Sequence, residues 1–142
     1  MTMNWNEKWF ATDAELGMNG SNPMADLLVV ANDQPLADVI RLKDAADQGK
    51  LIRHAYSIAD RGCLLFFLTG IRSKDELLAY NFGQEVGLSA RRLVRAWDYG
   101  RMDEATVSCV LADHIAARAR ANEAEERVIQ RVQEKLAQPV GV

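Results

Sequence analysis

Apolar residues recur along this chain at spacings of three and four far more often than in alternation, a pattern that predicts helices rather than strands. Asn22-Pro23 reads as an N-cap followed by proline at the first helical position, and Met24, Leu27, Leu28 and Ala31 then follow at helical spacing. The run Leu27-Leu28-Val29-Val30 fits a short buried strand equally well. Pro35 opens a second helix with Leu36, Val39 and Ile40 on one face, fading at Gln48-Gly49. Leu51, Ala55 and Ile58 predict a third over 51–59, and Gly62 then precedes 63–68, which is apolar all round and should form the central buried element. Ser73-Lys74-Asp75-Glu76 is a capping box. Two short helical segments come next, split at Gly87-Leu88-Ser89, with Gly100 closing the second. From 103 to 138 there is neither glycine nor proline, which predicts one long helix ended by Pro139. The fold class expected is all-α: one helical domain over 21–138, preceded by a loosely ordered arm over 1–20 that ends in Gly17, Gly20 and Ser21.

Composition adds a class and removes several functions. With 142 residues, 49% of them apolar and 26% charged, the chain is long enough to bury a core without a metal or disulfide staple. The longest apolar run, 63–68, is far short of the ~20 residues of a membrane span. The first residues are polar and acidic with interspersed aromatics, so no export signal is visible and a cytoplasmic location is expected. Cys63 and Cys109 stand far apart among apolar neighbours and read as free thiols, while His54 and His114 each stand alone, so neither a metal nor a cofactor is expected. No serine or cysteine lies in a nucleophile signature, and no carboxylate pair has the apolar context that separates pKa values. The expectation is a protein that is not an enzyme.

Charge changes the picture more. The net charge is −3, yet residues 1–49 carry three basic and eight acidic side chains, 50–101 nine and five, and 102–142 five and seven. An acidic average therefore conceals a basic middle, and that middle encloses the one motif-like stretch, Asn81-Phe82-Gly83-Gln84-Glu85-Val86-Gly87-Leu88-Ser89-Ala90-Arg91-Arg92-Leu93-Val94-Arg95-Ala96-Trp97. It reads as two helices across a sharp turn. Gly83 would permit close crossing, Gly87 would take the left-handed conformation and Ser89 would cap the second helix. Arg91, Arg92 and Arg95 would stand where phosphates or a guanine edge are reached.

Over residues 81–100 the stretch resembles the helix-turn-helix of the Cro and phage-repressor family, with Trp97-Asp98-Tyr99-Gly100 similar to the family's aromatic-acidic-x-glycine ending. The resemblance implies a sequence-specific regulator bound to double-stranded DNA. Ser89, Ala90, Arg91, Val94 and Arg95 would then face the duplex, and Arg92 and Arg101 would hold its backbone. The competing reading of the same residues is an αα-corner whose arginines form a solvated face.

Two further features suit a protein partner, and with them an adaptor or inhibitor acting by protein contact. In the long helix, Val107, Val110, His114, Ala117, Ala121, Ala124 and Val128 step by three and four, after which the seam must shift toward Val132 and Leu136 because Arg131 and Lys135 are charged. That seam either makes a homodimer or projects as a solvated helix. Trp5, Trp9 and Phe10 crowd the start of the arm and either dock on the domain or anchor a partner.

Overall fold

The structure is a computed structural model that describes residues 12–138. It is mostly α-helical. Among these residues lie α1 (Asp13–Leu16), α2 (Pro23–Asn32), α3 (Leu36–Asp47), a small hairpin of β1 (Ser57–Ile58) and β2 (Arg61–Gly62), α4 (Leu64–Thr69), α5 (Lys74–Ala79), α6 (Gln84–Asp98) and α7 (Glu104–Ala137).

Local chemistry sets most helix starts. The Asn22 carboxamide oxygen accepts from the Met24 N–H at 3.0 Å, Ser73 Oγ from the Glu76 N–H at 3.2 Å, and Asp103 Oδ1 from the Thr106 N–H at 2.8 Å. The run Leu27-Leu28-Val29-Val30 is helix, which decides the alternative left open by pattern. The buried face of α2 is not the stripe that spacing suggests, however. Leu27, Val30 and Ala31 face inward together with Asp26, while Met24 and Leu28 are exposed.

Residues 63–68 do form the centre. Leu64, Leu65 and Leu68 of α4 are fully buried, and α4 packs on α3 and α6. Around it α2 lies along α6 and α3 along the first half of α7. The core gathers Leu27, Val39, Leu42, Leu93, Trp97, Val107 and Leu111 from these helices.

The helix expected over 51–59 is absent, and long-range bonds explain its loss. Gly62 bridges the backbone on both sides of Leu51, taking the Ile52 N–H at 3.0 Å and donating to the Lys50 carbonyl at 3.1 Å. The hairpin pairs Ser57 with Gly62 and Ile58 with Arg61. Between these points His54 and Ala59 adopt left-handed φ of 66° and 57°, which no α-helix contains. Leu51 is buried as its spacing implied, but Ile58 points into solvent. At Gly62 a Cβ would lie 2.3 Å from the Phe66 ring, so the hairpin can seat against α4 only with glycine there.

The expected loose arm is also partly folded. Residues 12–20 make α1 and a single 3-10 turn, Met18–Gly20, with Leu16 and Met18 buried against Ala96 and Leu88 of α6. Trp5, Trp9 and Phe10 lie outside the described residues.

Candidate nucleic-acid and partner interfaces

The turn that a helix-turn-helix requires at Gly87-Leu88-Ser89 does not form; residues 84–98 are one uninterrupted α-helix. Gly83, not Gly87, takes the positive φ, 85°, as the N-cap residue, with its N–H held by the Asn81 side chain at 3.0 Å. Gly87 donates to the Gly83 carbonyl at 2.9 Å as an ordinary first-turn residue. The reason is burial. Continuing the helix places Ala90, Leu93, Val94 and Trp97 on one fully buried stripe, which outweighs the ~1 kcal/mol by which glycine disfavours a helix interior.

A Cβ at Gly87 would meet only Phe82 Cβ, at 3.8 Å, an ordinary contact. Gly87→Ala should therefore stabilise the protein by about 0.5–1 kcal/mol, read as a rise in the urea midpoint at constant slope. A left-handed Gly87 would give the opposite sign.

The residues expected to face DNA are turned elsewhere. Ser89 is buried and caps nothing; its hydroxyl faces the Asp26 carboxylate across the α2–α6 contact. Val94 is fully buried in the core. Arg92 is half-buried near enough to Asp26 to pull on its charge, but the two form no ion pair, and Arg92 Nε and Asp26 Oδ2 are buried without a hydrogen-bond partner. Arg95 Nη1 meets Asp13 Oδ1 at 2.6 Å with its side chain only 13% exposed, and the Tyr99 hydroxyl donates to the same carboxylate at 3.2 Å. Arg91 is half-buried beside Gly87 and Leu88. Arg101 is exposed, reaching the Met18 carbonyl at 3.4 Å and lying 5.7 Å from the Tyr99 ring. The arginine face of α6 is thus largely a seat for α1 and α2. Sequence shows the charges and not their direction, because Asp13 and Asp26 lie far away in the chain.

Asp26 has a consequence that sequence did not signal. Burial, the largest influence, raises its pKa against the opposing pull of Arg92 and the Ser89 hydroxyl. A carboxyl whose pKa is higher folded than unfolded binds more protons in the native state. It therefore favours folding at low pH and loses that advantage as pH rises through the folded value. Asp26→Asn, which mimics the protonated form, should raise the melting temperature at pH 7, with the gain shrinking toward pH 4. A difference independent of pH would contradict this.

α7 has the largest uncovered surface among the described helices. Successive residues turn by about 100°, which places Val107, Val110, Leu111, His114 and Arg118 in one arc facing the body. Val107 and Leu111 are fully buried, and the Arg118 guanidinium reaches the Gln34 carbonyl at 2.8 Å and the Ala31 carbonyl at 3.3 Å, closing the end of α2. Burial, then Arg118, holds the His114 pKa below its ordinary value, as for a packed neutral imidazole. The same arc continues as Ala121, Glu125, Val128, Ile129, Val132 and Leu136, but every residue from Arg120 to Ala137 is exposed. At about 1.5 Å per residue, some 28 Å of helix extends beyond Arg118.

Other chemistry is sparse. An open cavity of about 490 Å³ is lined by His54, Tyr56, Ser57, Arg72, Ser73 and Lys74. Two of its three hydroxyls serve the fold: Tyr56 donates to the Ile71 carbonyl, and Ser73 caps α5. The neighbouring Asp98 carboxylate accepts from the His54 backbone N–H at 2.9 Å. Cys63 and Cys109 are free; burial pushes the Cys63 thiol up to about 12, and Cys109 is exposed on α7. Among the described residues no group of His, Cys, Asp and Glu is placed to hold a metal ion, and no helix is long and apolar enough to cross a membrane. Comparison with protein-family models, with characterised proteins and with solved structures returned no match.

Proposed function

We propose that this protein is a non-enzymatic helical adaptor that works by protein–protein contact through the distal face of α7. One observation carries the reading: past Arg118 and Glu125 the arc of α7 that packs on the body turns apolar again, at Val128, Ile129, Val132 and Leu136, where no described part of the body covers it. Val128, Ile129, Val132 and Leu136 are 57%, 48%, 52% and 81% exposed, and all four fall within about 100° of the helix circumference. Isolated exposed side chains are ordinary, but a stripe in register with a buried one is the form of a helix-in-groove or coiled-coil contact. Most helical stability in proteins comes from packing such a face. The reading therefore predicts that the distal half gains its full stability in a complex.

Sequence-specific DNA binding through 81–100, with Arg91, Arg92, Arg95 and Arg101 as contacts, has less support. It needs a turn and an outward arginine face, whereas α6 is continuous, Arg92 is half-buried toward Asp26 and Arg95 is held by Asp13. The same preparation tests both. Selection from random duplexes should enrich no sequence and show no salt-dependent retention; enrichment that Arg91→Ala abolishes would reverse the order. For the adaptor reading, partners captured from host extract should be lost when Ile129→Asp and Val132→Asp are combined. Capture unaffected by that double change would exclude the α7 face.

A further inference from the structure

We infer that the partner of the distal α7 face is a second copy of the same helix, lying antiparallel about a two-fold axis opposite Val128 and Ile129. The inference rests on the protein-contact reading of α7 and adds the identity and direction of the partner.

Length is the first argument. With the axis at that point, Val128 faces the second copy's Ile129, Glu125 faces its Val132, and Ala121 faces its Leu136. The last pair sets the smallest side chain of the arc against the largest exposed one. The second copy's Ala137 then comes level with Arg120, two residues past the point where Arg118 ties α7 to its own body. Each helix therefore covers the exposed stretch of the other and stops where the intramolecular cover begins. The two bodies sit at opposite ends of the pair and do not compete for space.

Charge gives the direction. Glu125 is the one acidic residue in the middle of the distal arc. In a parallel, in-register pair it would face its own copy, a like-charge contact inside an apolar seam. In the antiparallel pair it faces Val132, and the second copy's Arg131 and Lys135 border the seam within about one turn of it. Both basic residues lie on the flank opposite Ala117, Ala121 and Ala124 of the other helix, where the small side chains leave room for their stems. The seam spans only about five turns, so association should depend on concentration.

The full-length chain tests this directly. Sedimentation velocity from micromolar to millimolar protein should show a monomer–dimer equilibrium, and Ile129→Asp with Val132→Asp should leave a monomer whose body melts as before. Glu125→Arg and Arg131→Glu should each raise the dissociation constant about tenfold, and the two together should restore it. For direction, in a Cys109→Ser background, a mixture of Ala121→Cys and Leu136→Cys chains should form disulfide-linked dimers, while Leu136→Cys alone should not. A chain that is monomeric throughout, or that links through Leu136→Cys alone, overturns the inference. If the chain stays monomeric but the double aspartate change still abolishes capture from host extract, self-pairing is wrong and the protein-contact reading stands. If that change alters neither, both are wrong.

Discussion

Trp97→Ala is expected to destabilise the protein by about 3–5 kcal/mol, the range for deleting a large aromatic from a close-packed core. Trp97 is 1% exposed and lies where α6 meets the segment after α3. Its indole N–H donates to the Ile52 carbonyl at 2.8 Å, and the Arg53 guanidinium lies 3.8 Å from the centre of its ring. Removing the ring leaves a cavity, an acceptor without its donor and a cation without its π-face at once. A domain of this size has about 5–15 kcal/mol in total, so the variant should lose a large share of its stability and melt well below the parent protein. Urea denaturation followed by circular dichroism measures the loss; a loss below about 1 kcal/mol would mean that the ring is not the keystone of this contact.

Arg53→Ala is the second large effect, expected at about 3 kcal/mol from charge-assisted hydrogen bonds and a desolvated cation–π contact. One guanidinium nitrogen donates to the Trp97 carbonyl and the other to the Met102 carbonyl at 2.7 Å, so Arg53 closes the carboxyl end of α6 from across the molecule. Lysine keeps the charge and loses the fork, so Arg53→Lys should recover less than half of the loss. The two residues share one contact, and the Arg53→Ala/Trp97→Ala double variant should fall short of additivity by about 1–2 kcal/mol. Hydrogen exchange should locate the loosening in 51–62, the segment that Arg53 holds out of helical form.

That segment shows where sequence stops informing. The spacing of Leu51, Ala55 and Ile58 is a genuine helical period, but it competes with an arginine whose acceptors are 44 and 49 residues away. No local signal reports such a partner. The turn expected at Gly87 fails for a related reason. Two glycines four apart can each supply a left-handed residue, and burial of Leu93, Val94 and Trp97 decides that Gly83 does. The arginines of α6 were legible as charge and illegible as direction, since Arg95 finds Asp13 at a separation of 82 residues. By contrast Asn22 and Ser73 are legible as caps, because each meets an amide two or three residues ahead. The all-α class, the central place of 63–68 and the long terminal helix were legible too, since each rests on composition and period within a single element.

Arg118 divides α7 into two thermodynamic neighbourhoods. On its amino-terminal side, amides can exchange with solvent only by openings that disturb the core, because Val107 and Leu111 are part of it. On the other side no described part of the body covers the helix, so opening should cost little, and trypsin should find Arg120, Arg127, Arg131 and Lys135 first. Cleavage there would release short peptides and leave the body whole. The rate of that cleavage, followed against protein concentration, is a kinetic gauge of how much of the helix is covered at any moment.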